Sequence, residues 1–241
     1  MLVGHVKGLM RHPVKSFTGE EVTQTNVMPY GLYGDRSHAY RDLSRIDKFL
    51  TITQAPQMAC YTASFQGEDD LERYPAIAVR TPNGVELEWD DPILLEELET
   101  LSKRPIQPVQ YTTNEVPIGP LEEDHLLLVS EASIQSLSEE WGKALDYRRF
   151  RPNILLSLTE QQPFGEEQWI GKTLLIGDTV RISINKPCER CMIITVDPET
   201  GLRDPSLLKL VANTRKNYFG VYASVIATGP IHIGDDIHLL S

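Results

Sequence analysis

Apolar residues in the first 90 positions fall in short runs broken by Gly, Pro and Asp. The runs are Val3 to Leu9, Glu21 to Met28, Ser37 to Arg41, Ala59 to Phe65, Ile77 to Arg80 and Val85 to Trp89. Runs of this length between turn residues predict β-strands. Thr81-Pro82-Asn83-Gly84 predicts a tight hairpin turn, with Asn-Gly supplying positive φ angles. Asp91 and Pro92 then open a helix whose Leu94, Leu95, Leu98 and Leu101 recur at helical spacing. From Arg104 to Pro120 the prolines interrupt any periodicity, and the chain is expected to divide there, into residues 1–104 and 105–241.

The second part predicts a buried strand from His125 to Val129 and a helix capped at Ser130. That helix carries Ile134, Leu137 and Trp141 on one face and stops at Gly142. Further strands are expected at Ile154 to Leu158, Thr173 to Ile176, Val180 to Ile184, Met192 to Val196, Val221 to Ala227 and Ile237 to Leu240. One helix, from Pro205 to about Ala212 with Asp204 as its cap, interrupts them. The expected class is mainly β with a few helices (α+β), in two barrel-like units whose closure removes exposed strand edges.

Composition narrows the function. The 241 residues include 34 Asp and Glu against 23 Lys and Arg, a net charge of −11, which argues against binding nucleic acid or anionic membranes. No apolar run is long enough to cross a bilayer, and the N-terminus does not read as a secretion or transit signal. Three cysteines are too few for a disulfide scaffold and point to a reducing compartment, so a cytoplasmic setting is expected. The acidic stretches Glu68-Asp69-Asp70, Glu96-Glu97, Glu122-Glu123-Asp124 and Glu139-Glu140 read as solvated surface.

Against that background two cationic constellations stand out. Cys188-Glu189-Arg190-Cys191 admits half a zinc site, a dithiol pair, or a single metal-binding or nucleophilic thiolate beside an arginine. No second Cys-x-x-Cys follows, and the pair leads into a β-rich run, which disfavours the first two. Two buried small hydrophobes are the plain alternative, weighed against by Lys186 and Arg190. In Asp146-Tyr147-Arg148-Arg149-Phe150-Arg151-Pro152-Asn153, three arginines enter an apolar strand, a pattern suited to holding a phosphate or carboxylate. Ion pairing with Glu139 and Glu140 is the competing reading.

Together with Pro13-Val14-Lys15-Ser16, Gly34-Asp35-Arg36, Ser130-Glu131-Ala132-Ser133, Thr195-Val196-Asp197-Pro198, Thr200-Gly201 and Phe219-Gly220-Val221-Tyr222, these segments resemble the MOSC family, the molybdenum-cofactor sulfurase C-terminal domain, preceded by its N-terminal β-barrel partner. Within it, the chain resembles the amidoxime-reducing components and their bacterial counterparts. The resemblance implies a Mo-molybdopterin cofactor, with Cys191 as the metal's protein ligand and the catalytic residue. It also implies pterin and phosphate contacts from Lys15, Ser16, Arg36, Arg151, Asn153, Arg190 and Tyr222, with Cys188 auxiliary. The implied activity is reduction of small N-hydroxylated compounds. The sequence has no ferredoxin-like extension, so the electrons are expected from a separate donor protein of ferredoxin, flavodoxin or cytochrome b5-like type. A sulfur carrier or cofactor-delivery protein, with Cys191 as a persulfide, is the alternative. A further expectation is geometric: Lys15, Arg36, Arg151 and Arg190 should converge on one cleft between the two parts, each charged contact contributing about 1.5–3 kcal/mol.

Overall fold

The computed structural model describes residues 1–119, 121 and 123–240. Pro120 of the proline-rich crossover, Glu122 of an acidic stretch and Ser241 lie outside the described residues. The first part of the chain carries β1 (Leu2–Arg11), β2 (Glu20–Val22), β3 (Gln24–Met28), β4 (Gly31–Leu32), β5 (His38–Asp42), β6 (Thr62–Phe65), β7 (Ile77–Arg80), β8 (Glu86–Glu88) and α1 (Pro92–Ser102). After β9 (Ile106–Gln110) and β10 (Leu126–Ser130) come α2 (Glu131–Trp141), β11 (Ile154–Leu158), β12 (Thr173–Ile176) and β13 (Val180–Glu189). The chain finishes with α3 (Pro205–Arg215), β14 (Tyr218–Ala227), β15 (Gly229–His232) and β16 (Asp236–Leu239).

Seven strands close a barrel in the order β11-β10-β14-β13-β12-β16-β1, with β1 pairing back onto β11 and β2 extending beyond β1. Closure leaves the barrel strands without free edges. Its interior is filled by alternate residues, such as Val180, Ile182 and Ile184 of β13, while Arg181 points to solvent. Among the described residues β10 and β11 are the one pair of strands in a parallel ladder, and α2 supplies the crossover that such a pair needs. All five residues of β10 are buried because both of its faces are covered. Leu126 and Leu128 face the barrel interior, whereas Leu127 and Val129 pack with Leu137 of α2 and with Leu207 and Val211 of α3.

A second core gathers Phe17, Tyr33, Tyr40, Leu50, Met58, Tyr61 and Phe65 with Leu94 and Leu98 of α1, under the β6-β7-β8 sheet and the β5-β9 pair. Strand pairing crosses the division expected at 104/105 in both directions. β1 is a stave of the barrel otherwise made from the second part, and β9 pairs with β5.

The helix ends follow their local signals. Asp91, Ser130 and Asp204 each accept a backbone N–H in the first turn, and Gly142 takes the left-handed conformation that ends α2. α3 continues to Arg215, three residues beyond the expected end. The 81–84 turn is looser than expected: Gly84 donates to Thr81 O and Thr81 N–H to Val85 O, and only Gly84 has a positive φ. The clear correction is Met192–Thr195, a 3-10 turn and not a strand, in which Thr195 Oγ1 donates to Met192 O. Its β-type residues serve packing instead, Ile194 against Phe150 and Leu207 and Val196 against the second core.

Burial also sets an acid limit. His38, only 2% exposed, is ringed by Phe65, Tyr74 and Trp89, and burial lowers its pKa from 6.5 to about 3. A depressed imidazole pKa means that the unfolded chain binds the proton first. The stabilisation is therefore complete above pH 6.5 and is lost as pH falls towards 3. His38→Phe is expected to remove one proton from this linkage, lowering the slope of unfolding free energy against pH in that window by about 1.4 kcal/mol per pH unit. Urea titrations at several pH values read the slope, and an unchanged slope contradicts the assignment.

Candidate functional site

A cleft of about 330 Å³ lies between the second core and the apolar cluster of Leu127, Phe150 and Tyr222 packed outside the barrel. Its N-terminal wall is Lys15, Ser16, Arg36 and the segment Thr51-Ile52-Thr53, and its opposite wall includes Leu127, Phe150, Arg151, Tyr222 and the run Glu189 to Ile193. Hydrogen bonds tie the walls together: Lys15 Nζ donates to Leu121 O at 2.5 Å, Arg151 Nη1 to Phe17 O at 2.7 Å, and Arg203 Nη2 to Ile52 O at 3.4 Å and Thr53 O at 3.5 Å. The four cations expected to converge, Lys15, Arg36, Arg151 and Arg190, all line this one cleft, and Cys191 lies exposed among them.

The backbone holds several of these residues in an unusual way. Ser16, Arg36 and Arg151 all have positive φ, at 72°, 54° and 56°, a region that non-glycine residues rarely occupy. Each sits in a turn locked by its neighbours. Phe17 N–H donates to Val14 O, Ser37 N–H to Gly34 O, and Arg151 N–H to Arg148 O. Arg36 N–H also donates to His12 O, while Asp35 Oδ1 accepts from His12 N and Asp35 Oδ2 pairs with the Arg36 guanidinium. Gly34, at φ 70°, is required here because a Cβ would lie 2.3 Å from the Phe65 ring. Backbone strain of about 1–3 kcal/mol per residue persists where surrounding structure enforces it, often at binding sites. Arg151→Gly is accordingly expected to hold thermal stability within about 1 kcal/mol, relief of strain offsetting the lost Phe17 bond and the added flexibility of the unfolded chain. Denaturant melts check this, and a loss of several kcal/mol would assign Arg151 to the core instead.

Beneath the cleft, His12 is 1% exposed, and neither ring nitrogen has a hydrogen-bond partner among the described residues. Burial, then the nearby Arg151 and Arg36 charges, push its pKa well below the usual imidazole range, so it adds no charge to the cleft. Arg190, 5% exposed, donates through Nη1 to Cys188 Sγ and through Nη2 to Phe150 O at 2.9 Å. Its Nε has no acceptor among the described residues.

Asn153 does not line the cleft. Fully buried, it bolts strands together: its Oδ1 accepts from Leu127 N at 3.0 Å and its backbone exchanges bonds with Met10 and Leu127. Of the three clustered arginines only Arg151 reaches the cleft. Arg148 pairs with Asp146 and Glu199, and Arg149 with Asp197, so the competing ion-pair reading holds for these two, with partners other than Glu139 and Glu140. Thr51 and Thr53 also line the cleft and carried no sequence signal, as do Glu123, from a stretch expected to be plain solvated surface, and Glu189, from within the Cys188–Cys191 motif. Cys60, half buried beside Gly201, is not part of it, and among the described residues no group of three His, Cys, Asp or Glu is placed to hold a metal. A metal bound at Cys191 would therefore take its remaining ligands from something other than these side chains.

Residues 113–238 match the model of the MOSC domain and residues 3–90 that of the MOSC N-terminal beta barrel domain. The human mitochondrial amidoxime-reducing component 1 is 27% identical over 292 aligned positions, covering 99% of this chain and 83% of that one. The rat mitochondrial amidoxime reducing component 2 is 36% identical over 126 positions, covering 46% of this chain and 35% of that one. A molybdenum cofactor sulfurase of Drosophila mojavensis is 32% identical over 114 positions, covering 46% of this chain and 14% of that one. Among solved structures, the YUAD protein from Bacillus subtilis shares the fold with a TM-score of 0.51 at 11% identity, over 98% of this chain and 94% of that one. With its cleft framed by both matched segments, the chain belongs to the MOSC family.

Proposed function

We propose that this chain is a molybdenum-cofactor oxidoreductase that reduces N-hydroxylated compounds, with the Cys191 thiolate as the protein's ligand to the metal. The observation that carries the reading is the convergence of Lys15, Arg36, Arg151 and Arg190 on the cleft that exposes Cys191, in a chain of net charge −11. Cations gathered at a partly desolvated cleft focus a positive potential that suits a phosphate-bearing ligand. The buried Arg190 Nε, which lacks an acceptor among the described residues, and the absence there of a protein metal cluster both fit a group that brings its own anion and most of its metal's ligands. A soft thiolate suits such a metal.

Lys15, Ser16, Arg36, Arg151 and Arg190 would hold the anionic end and Tyr222 would wall the cleft, while Cys191 would fix the metal. When bound, the cofactor supplies oxygen-atom transfer. The net reduction of an amidoxime takes two electrons and two protons and yields an amidine and water, the electrons coming from a separate donor protein, of ferredoxin, flavodoxin or cytochrome b5-like type. Apolar Ile52, Leu127, Phe150 and Ile193 exclude water from the walls and leave room for a small organic substrate. The cytoplasm, where thiols stay reduced, is the proposed setting.

Benzamidoxime reduction with an artificial electron donor tests the reading on protein from a host that makes the cofactor. Turnover is expected. No turnover, together with one labile sulfur on Cys191 by mass spectrometry, would replace it with the sulfur-carrier alternative.

A further inference from the structure

Cys188 and Cys191 share a motif but not an environment. Cys191 is exposed on the cleft, whereas Cys188 is 1% exposed and packed among Phe150, Phe219 and Tyr222. Between them stands Arg190, whose guanidinium lies over the Phe150 ring, 5.3 Å from its centroid. Two acceptors fix that guanidinium: Phe150 O at 2.9 Å and Cys188 Sγ. Arg190 N–H donates to Asn217 O, and Asn217 Nδ2 returns a bond to Arg190 O, so the residue is clamped at both main chain and side chain. A planar fork held at two of its nitrogens presents its remaining donors in one fixed direction.

We propose that Cys188 is a positioning residue for the cleft, its sulfur acting as the acceptor that holds the Arg190 guanidinium in place beside Cys191. The inference rests on the cofactor reading above for what Arg190 holds, but the geometry it invokes belongs to this chain alone. Removing the sulfur strips Nη1 of this acceptor in a buried place where water is not at hand to replace it, and an unsatisfied buried charge-assisted donor reorients or loosens. Arg190 would then swing from the position that meets the ligand, although Cys188 itself never touches it. Second-sphere groups that orient a ligand-holding side chain typically affect affinity by about 10–100-fold.

Packing and positioning make opposite demands on this site. If Cys188 were only a small buried hydrophobe, Cys188→Val would serve and Cys188→Ser would be the damaging change. Positioning reverses the order, because the serine hydroxyl accepts a hydrogen bond and valine does not. Full-length Cys188→Ser, Cys188→Val and Cys188→Ala are prepared from a cofactor-competent host. Molybdenum and pterin per chain are measured after extended dialysis, with thermal melts to confirm folding. Serine is expected to retain cofactor within about twofold of wild type, and valine and alanine to lose about tenfold or more. Retention by valine with loss by serine, or equal retention by all three, overturns the proposal. If wild-type protein carries no molybdenum, the cofactor reading fails, and crystal structures of the alanine and serine variants decide the positioning role. An Arg190 guanidinium displaced from Phe150 O in the alanine variant and restored in the serine variant supports it; an unmoved guanidinium overturns it.

Discussion

Cys191→Ala is expected to abolish benzamidoxime reduction while leaving the melting temperature of the chain essentially unchanged. The side chain is exposed, and among the described residues no hydrogen bond of its sulfur holds the surrounding turn, which is kept by Thr195 Oγ1 on Met192 O and by Val196 N–H on Ile193 O. Truncation to alanine therefore costs the fold little. It removes the one thiol that lines the cleft among the described residues, and a thiolate is the ligand that suits a soft metal. Steady-state turnover with an artificial donor and a thermal melt on the same preparation separate the two effects. Retained turnover above a tenth of wild type would show that Cys191 is dispensable to the chemistry.

The largest stability effect is expected at Arg11, at the end of the barrel strand that enters the second core. Its guanidinium is 4% exposed, donates to Glu20 at 2.6 Å and Asp69 at 2.5 Å, and lies 4.9 Å from the Phe65 ring centroid. Asp69 in turn accepts from Thr25 Oγ1, so one cation organises three polar groups from separate segments. Arg11→Ala leaves two largely buried carboxylates without their cation, a change that costs about 3–5 kcal/mol. For a chain of this size that lowers the melting temperature by about 10 °C. Arg148→Ala is the control, since Arg148 pairs with solvent-exposed Glu199 and partly exposed Asp146, and is expected to change stability by less than about 1 kcal/mol. Calorimetric melts of both variants check the contrast, and equal effects would refute it.

The elements legible in the sequence were those specified locally. Asp91-Pro92, Ser130 and Asp204-Pro205 announce helix starts because the capping atoms sit two or three residues from the groups they satisfy, and each does so in the structure. The β-type residues Met192 to Val196 misled because their apolar character is used in turn packing, where tertiary contacts override strand propensity. Asn153 follows Arg151 by two residues, yet the left-handed turn at Arg151 sends one side chain to the cleft and carries the other into the strand junction. The cationic members of the site were visible because arginine and lysine are scarce in an acidic chain. Thr51 and Thr53 were not, since small neutral residues that line a wall look like any loop. The passage of β1 into the barrel was also hidden, because pairing between residues some 150 positions apart leaves no trace in local pattern.

The central claim is that the four converging cations and Cys191 form one cofactor site. Molybdenum by elemental analysis and pterin by fluorescence after oxidation, both per chain, test it on wild type, Lys15→Gln and Arg151→Gln from the same cofactor-competent host. The account expects molybdenum and pterin in equal amounts on wild type and a severalfold loss of both in each variant, with melting profiles that remain cooperative. Zinc alone, no pterin, or undiminished occupancy in both variants would contradict it.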